Sequence, residues 1–359
     1  MSIKTAGATG NADSGVQAII ASDDIGAGVF VDVEASGNTG RGLDIDGSFA
    51  GPISALFLSG IEANENTSQG IRIQAESTDQ MVLWLDDVHA HQNDLQGIRA
   101  NIEADEDLLV IASDVHASYN RRHGLWLTGD AGGEAYFVMA PDPVEVLDGT
   151  GPGGITIVQP DSTPGGPSSF INNGWDTDNP GARAGLRVEL DATGDIVALL
   201  EGEAEFLGNT GNGLHWILNS QEGDIEASIS DATAADNDLQ GIVVAADAAD
   251  GDIEMNLSEI SATGNTRHGV LLRADAEDGD IDAVLDNVTA NDNDLNGIRA
   301  ILDNSPNPND VSLTISNSEA LNNLQTDLFG RLRFTAGGSA SSTLIDNTIG
   351  TDDVLLQQQ

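Results

Sequence analysis

Apolar and polar residues alternate along short segments of this chain, with a period of two. Residues 297–303 (GIRAILD) and 280–286 (DIDAVLD) both alternate in this way, and residues 288–290 (VTA) form a third short apolar run. A period of two is typical of strands, and no segment has the spacing of about 3.6 residues that an amphipathic helix requires. The pattern predicts an all-β chain of short strands joined by Gly, Asp and Asn turns.

The strands recur with a corner motif, an Asn followed four residues later by Gly and then by an aliphatic residue. NDLQGIRA at 93–100 returns as NDLNGIRA at 293–300, and successive motif Asn residues are 27 or 28 apart where the run is unbroken. A repeat of about 20–50 residues is typical of a solenoid. The clear copies are Asn11–Gly15, Asn38–Gly42, Asn66–Gly70, Asn93–Gly97, Asn120–Gly124, Asn209–Gly213, Asn237–Gly241, Asn265–Gly269 and Asn293–Gly297.

Degenerate copies are expected in the remaining segments. Thr150–Gly154 lacks the Asn, Asn173 reaches Gly185 only after an insertion of eight residues, and weaker copies lie at Asn323 and near residue 347. Three strands per repeat predict about a dozen coils of 27–28 residues, stacked at about 4.8 Å into three parallel sheets around one core. We expect one domain over residues 1–359, with irregular coils and insertions at 130–184 and a capping tail at about 335–359.

These N-x-x-x-G-[ILV] corners, which cover essentially the whole chain, resemble those of right-handed parallel β-helix proteins of the pectin-lyase-like superfold. The resemblance implies the fold but no single function, because that superfold includes polysaccharide lyases, glycoside hydrolases, epimerases, adhesins and phage spikes. Lyases of the family commonly use an Arg or Lys base with Ca²⁺ held by Asp, and hydrolases use Asp clusters. Both usually act on the outer face of the strand after the corner.

Composition narrows the choice of partners. The chain has 59 Asp plus Glu against 13 Lys plus Arg, a formal charge of −46, and no cysteine. Nucleic acid and anionic membranes need basic patches, so neither is expected as a partner, and no apolar run approaches the roughly 20 residues of a membrane span. The acidity is typical either of a solvated surface, as in proteins of salt-loving organisms, or of calcium binding. Fold and composition favour an extracellular or cell-surface location.

The second residue after each corner Gly forms an outward column rich in basic and aromatic residues. Guanidinium groups bind carboxylate or sulfate in a bidentate way, and an indole stacks on sugar rings, so the column predicts binding of an anionic polysaccharide. The alternative is that these arginines neutralise acidic columns at Glu76, Glu103, Asp130 and Asp191. The candidate ligand-binding residues are Arg72, Arg99, Trp126, Arg187, His215 and, on the insertion predicted to overhang them, Trp175. A passive loop is the alternative for that insertion.

Two neighbouring copies carry His and Asp at matching places on the third strand. The segments DDVHAHQN (86–93) and SDVHASYN (113–120) are predicted to stack Asp87 on Asp114 and His89 on His116. Such side chains could ligate Zn²⁺ or a similar ion, or act as an acid–base pair. A stacked polar ladder without a ligand is the alternative.

The turn after the first strand is acidic in DAADGDIE (247–254) and DAEDGDID (275–282). We expect Asp250 to stack on Asp278 and Asp252 on Asp280, where like charges repel by about 1 kcal/mol in water. Either salt or Ca²⁺, which prefers several carboxylate oxygens, is expected to offset this repulsion.

Outward positions of the second strand are apolar only in the N-terminal half. An apolar face on so acidic a chain is expected to pack against another chain, the C-terminal tail or a missing domain. A register error of one residue would exchange the two faces. The candidate interface residues are Val29, Phe57, Val82, Trp84, Leu109 and Ile111.

Two functions of different classes follow from these features. The first is a surface module for self-association, adhesion or anionic glycan binding, without catalysis. The second is a polysaccharide-active enzyme, most plausibly a lyase, with Arg99, Arg187, His123 and His215 as catalytic candidates. No paired aspartates lie on the column, which argues against a hydrolase.

Overall fold

The computed structural model describes residues 2–23, 26–141, 167–174, 183–304, 309–334, 339–349 and 354–358, and over these ranges it contains strands and turns but no helix. The chain is a right-handed parallel β-helix of about 11 turns, which confirms the predicted fold class. The strands of the described residues are β1 (Ser2–Gly7), β2 (Val16–Ser22), β3 (Gly26–Glu34), β4 (Leu43–Phe49), β5 (Ile53–Glu62), β6 (Ile71–Ser77), β7 (Gln80–His89), β8 (Ile98–Ala104), β9 (Leu108–His116), β10 (Leu125–Ala131), β11 (Ala135–Met139), β12 (Ser169–Ile171), β13 (Ala184–Ala192), β14 (Ile196–Leu200), β15 (Ala204–Leu207), β16 (Asn212–Ser220), β17 (Ile225–Ser230), β18 (Ala232–Ala235), β19 (Ile242–Asp250), β20 (Ile253–Ser261), β21 (Val270–Asp278), β22 (Ile281–Thr289), β23 (Ile298–Asn304), β24 (Val311–Ser316), β25 (Glu319–Ala320), β26 (Leu328–Phe334), β27 (Ala340–Ile345), β28 (Thr348–Ile349) and β29 (Val354–Gln358).

The chain divides into two compact units, Met1–Leu190 (unit 1) and Asp191–Gln359 (unit 2). In unit 1, β2, β4, β6, β8 and β10 pair in that order, and β1, β3, β5, β7, β9 and β11 pair as a second set. In unit 2 the corresponding sets are β16, β19, β21, β23, β26 and β29, and β14, β17, β20, β22, β24 and β27. All these pairings are parallel. A single domain over the whole chain stays a prediction.

The predicted second and third strands of a coil are continuous in most coils and bend at one residue. In β5 and β7 the bend falls at Gly60 and Asp87, with φ of 63° and 51°, and in β9 it falls at Asp114, with φ of 50°. A non-glycine residue with positive φ is strained, and Asp tolerates this region better than most residues. Hydrogen bonding therefore produces two sheets, one of which turns a corner, so that three faces enclose the core.

The corner asparagines form a buried ladder within each unit. From Asn11 to Asn120, the Nδ2 of each Asn donates to the Oδ1 of the Asn in the next coil at 2.9–3.1 Å. The backbone N–H of the donating Asn bonds to the same Oδ1. The residue before each ladder Asn has positive φ, as at Gln92 (55°) and Tyr119 (58°), which turns the amide inward. The members are Asn11, Asn38, Asn66, Asn93, Asn120 and Asn173 in unit 1, and Asn209, Asn237, Asn265, Asn293 and Asn323 in unit 2.

The ladder explains the Gly four residues after each Asn. A Cβ added at Gly97 would lie 2.6 Å from the Nδ2 of Asn120 and 2.7 Å from the carbonyl oxygen of Ala90, closer than such contacts allow. At Asn323 the motif Gly is replaced by Asp327, whose Oδ1 accepts the N–H and Nδ2–H of Asn323 at 3.1 and 2.9 Å. The Asp327 carboxylate therefore serves as the acceptor that the next Asn supplies elsewhere.

The ladder also connects coils across the irregular segment. Asn120 donates to the Oδ1 of Asn173, and His116 on β9 is in register with Ser169 on β12, so these two coils are direct neighbours. The degenerate copy expected at Thr150–Gly154 lies outside the described residues. The structure has about 11 turns, in agreement with the predicted count of about a dozen.

The C-terminal segment continues the solenoid. β27, β28 and β29 pair in parallel with β24, β25 and β26. In its described part, the segment expected to cap the chain at about 335–359 supplies strands that extend the same ladders of backbone hydrogen bonds, and its role as a cap stays a prediction.

Replacing Asn93 with Ala should lower the free energy of unfolding by about 3 kcal/mol, because the N–H and Nδ2–H of Asn66 lose their buried acceptor. The matched control is Asn101→Ala, an outward-facing amide that bonds to Glu103 and Thr128, with an expected loss below about 1 kcal/mol. Urea unfolding followed by circular dichroism measures both, and equal losses would contradict the ladder's importance.

Candidate functional site

The outward column after the corner Gly is in register within each unit. In unit 1, Asp44 pairs with Arg72, Arg72 with Arg99, and Arg99 with Trp126. Arg187 lies on β13 in the same unit, whereas His215 lies on β16 in unit 2. Trp175 and most of the overhanging insertion lie outside the described residues.

Arg72 neutralises carboxylates of its own face. Its NH1 lies 2.8 Å from Oδ1 of Asp44 and 2.7 Å from Oδ1 of Asp46, and Arg41 pairs with Asp44 at 2.8 Å. Burial lowers the pKa of Arg72, but hydrogen bonds and Coulomb attraction from the two carboxylates outweigh it and raise that pKa above its ordinary value. At Arg72 the contacts favour the charge-neutralising alternative.

Trp126 is held on three sides at the outer surface of unit 1. The Cζ of Arg99 lies 4.8 Å from the centroid of the indole, and the ring of His123 lies 5.3 Å away. Nε1 of Trp126 donates to Oε1 of Glu189 at 3.1 Å, and the same oxygen accepts from Nε of Arg187. The indole remains half-buried. We call these five residues the indole platform.

The catalytic candidates of unit 1 all have internal partners. Arg99 contacts the Trp126 ring, and Arg187 pairs with Glu189. His123 is 4% exposed, and its Nδ1 accepts the backbone N–H of Ala184 at 2.9 Å. The platform can present an aromatic face and cationic groups, but these three side chains also stabilise the stack of coils.

The stacked His residues are close to each other, and each pairs with the Asp of its own coil. His89 and His116 are in register, with ring centroids 5.0 Å apart. Nε2 of His89 lies 3.2 Å from Asp87, Nε2 of His116 lies 2.7 Å from Asp114, and Nδ1 of His116 lies 2.6 Å from Oγ of Ser169. Among the described residues, no group of three or more His, Asp or Glu is arranged to hold a metal. Metal binding by these four side chains stays a prediction.

The acidic turns form a second ladder in unit 2. Oδ1 of Asp224 accepts the N–H of Asp252 at 2.8 Å, and Oδ1 of Asp252 accepts that of Asp280 at 2.7 Å. Asp250 is in register with Asp278, as expected. Charge-assisted bonds to backbone N–H groups stabilise these carboxylates, a source that the sequence interpretation did not consider. Calcium binding at Asp250, Asp252, Asp278 and Asp280 stays a prediction.

The apolar outer face of unit 1 is mostly buried within the single chain. Leu109 and Ile111 are 0% exposed and Trp84 is 8% exposed, although the strand register directs them outward. Val29, Phe57 and Val82 are partly exposed, and Phe57 contacts Trp84 edge-on with centroids 6.0 Å apart. Leu109 and Ile111 therefore offer no free surface to another molecule. Self-association through the exposed part of this face stays a prediction.

Sequence reasoning missed a cluster of arginines in unit 2. The fourth residue after the corner Gly forms a column next to the one considered above, and it contains Arg273, Ile301 and Arg331 in register. Arg299, in the first column, is two residues from Ile301. Inspecting this second column in the sequence would have found the arginine cluster of Arg273, Arg299 and Arg331.

Comparison with protein-family models, curated proteins and solved structures finds no match for this chain. The relationship to the pectin-lyase-like superfold therefore stays a resemblance. The described residues contain no helix long and apolar enough to cross a membrane.

Replacing Asp252 with Asn should raise the melting temperature at low ionic strength in EDTA. The amide oxygen can still accept the N–H of Asp280, while repulsion from the neighbouring carboxylates disappears, and added salt should reduce the gain. Thermal melting with EDTA and with Ca²⁺ tests this. Asp252→Ala is the control and should be destabilised. If Asp252→Asn instead loses a calcium-dependent stabilisation of the unmodified chain, Ca²⁺ and not the N–H ladder balances the turns.

His268 should make unit 2 sensitive to acid. Its pKa is lowered to about 4 by burial and by Arg299, Arg267 and Arg273. The unfolded ring takes up a proton near its ordinary pKa of 6.5, so its contribution to stability is present above pH 6.5 and is lost as pH falls towards about 4. His268→Gln should reduce this acid-side loss. Urea midpoints across that range measure it, with His89→Gln, a more exposed ring, as the control that should leave the loss unchanged.

Proposed function

We propose that this chain is a non-catalytic β-helix module that binds an acidic polysaccharide on the outer face of unit 1. The observation that carries the proposal is the indole platform, in which a half-buried Trp126 is fixed beside Arg99 and Arg187. A fixed aromatic ring is suited to the apolar face of a sugar, and guanidinium groups are suited to its carboxylate or sulfate.

Fixed orientation supports binding because a side chain that is already ordered loses little entropy when a ligand arrives. Three contacts restrain the indole: Arg99 on its face, His123 beside it and Glu189 on its N–H. Glu189 partly neutralises Arg187, so the two arginines and Glu189 together leave the platform a net positive charge, which suits a carboxylate or sulfate on the sugar.

The same contacts argue against the lyase alternative. An Arg that acts as a base must direct a nitrogen at the substrate, and Nε of Arg187 is already bonded to Oε1 of Glu189. Nδ1 of the buried His123 is occupied by the N–H of Ala184. We therefore favour binding without bond cleavage, and as part of the same proposal an extracellular or cell-surface location.

Trp126→Ala should weaken binding of oligogalacturonate by about tenfold, because the ligand loses its stacking surface. Isothermal titration calorimetry measures the affinity, and Tyr119→Asn is the matched control, an aromatic of unit 1 that is 52% exposed at a corner with φ of 58°. Asn suits that backbone conformation, so the control should bind like the unmodified chain.

Absence of saturable binding of oligogalacturonate by the unmodified chain would overturn the proposal, as would unchanged affinity in Trp126→Ala. Release of unsaturated uronates from polygalacturonate, lost in Arg187→Gln, would establish the lyase alternative instead.

A further inference from the structure

The arginine cluster lies on three successive coils of unit 2. Arg273 on β21 and Arg331 on β26 flank Ile301 on β23, and coil spacing places their Cα atoms about 10 Å apart. Arg299 lies on the same face of β23 two residues before Ile301, so it is a diagonal neighbour of both. Three of the 13 basic residues of a chain with charge −46 thus converge on one small area.

Several other arginines of the chain pair with a carboxylate, but among the described residues those of the cluster do not. Arg41, Arg72, Arg187 and Arg333 each form an ion pair, whereas over the described ranges Arg273, Arg299 and Arg331 form none. The Nε–H groups of Arg299 and Arg331 are buried and have no hydrogen-bond partner in the described part of the chain. Buried donors without an acceptor are costly, so these groups indicate a ligand.

His268 adds a third donor to the same place. Its Nδ1 accepts the backbone N–H of Asn296 at 3.2 Å, which leaves the proton of the neutral ring on Nε2. That Nε2 lies 3.3 Å from NH1 of Arg299, so two donors face each other and neither can accept. A single acceptor lying beside both groups could accept from each of them.

The cluster borders an open groove of 530 Å³ on the outer face of the sheet. Ala245 and Ile301 contribute small and apolar surface, and Asp247, Asp275 and Asp303 also line the groove. Oδ2 of Asp303 is paired with Arg333 at 3.1 Å. Over the described ranges its Oδ1 is buried without a hydrogen-bond partner, and none of these carboxylates forms an ion pair with the cluster. Burial and the charges of Arg273 and Arg331 lower the pKa of Arg299, as expected for like charges without a counter-ion.

We propose that Arg273, Arg299 and Arg331 form an oxyanion site that takes a sulfate or carboxylate group. The planar guanidinium fork matches the oxygen pairs of both groups, and Phe329, whose ring centroid lies 5.3 Å from Cζ of Arg299, helps to fix one fork. The site lies in unit 2, and it stands or falls independently of the indole platform.

Inorganic sulfate and galacturonate, titrated separately into the full chain at low ionic strength, test the proposal by isothermal titration calorimetry. We expect saturable one-site binding of at least one of them, weakened about tenfold or more in Arg273→Gln/Arg331→Gln, because two charged donors are lost. Arg122→Gln is the control outside the groove: it removes the charge of one exposed arginine of unit 1 and should change the affinity less than twofold. The tighter of the two ligands identifies the group that the site prefers.

Absence of saturable heat with both ligands would overturn the site, and so would an equal loss in Arg122→Gln, which would indicate diffuse charge attraction. If Arg273→Gln/Arg331→Gln fails to fold, thermal melting of the unmodified chain still tests the oxyanion site. In the unmodified chain, bound anion should raise the melting temperature saturably at millimolar concentration, beyond chloride of equal ionic strength, and a chloride-like response would overturn the proposal. Trp126→Ala should bind sulfate or galacturonate at this site normally, which separates this result from the platform test.

Discussion

A buried primary amide requires partners for two donors and one acceptor, and this requirement organises every coil of the structure. An Asn in the interior of a ladder meets it by bonding to the Asn on either side and to a backbone carbonyl, as Asn93 does with Asn66, Asn120 and Ala63. The arrangement works only if the preceding residue takes positive φ and if a glycine leaves room for the next amide. The Asn, the positive φ of the residue before it and the Gly four residues later therefore express one constraint, because loss of any of them leaves a polar group buried without a partner.

This constraint explains how much of the fold was predictable. A buried ladder tolerates little besides Asn and Gly, so the motif persists in the sequence with nearly constant spacing and predicts both the coil and its inward residues. In the alternating segment 297–303, for example, Ile298, Ala300 and Leu302 are buried. Between Asn120 and Asn173 the regular spacing is lost, and the sequence therefore could not indicate that these two amides bond to each other.

The candidate site was less predictable, because register places side chains near one another but does not determine their partners. The sequence brought Arg72, Arg99 and Trp126 to one column, and the structure confirms their alignment. It could not indicate that Arg72 would bond to Asp44 and Asp46 while the cluster around Arg299 would lack carboxylates. Those differences depend on side-chain reach and on neighbours two residues away along adjacent strands, which a single column does not contain.

The ladder of unit 2 also has a direction. From Asn209 to Asn293, one Nδ2–H of each residue donates to the Oδ1 of the Asn in the following coil, so the amide groups repeat head to tail along the row. Hydrogen-bonded rows of this kind polarise one another, and an accumulated dipole is best balanced by a negative charge at its donor end. Asp327 supplies that charge next to Asn323. Its carboxylate therefore acts on the electrostatics of the whole row and not only on its last bond.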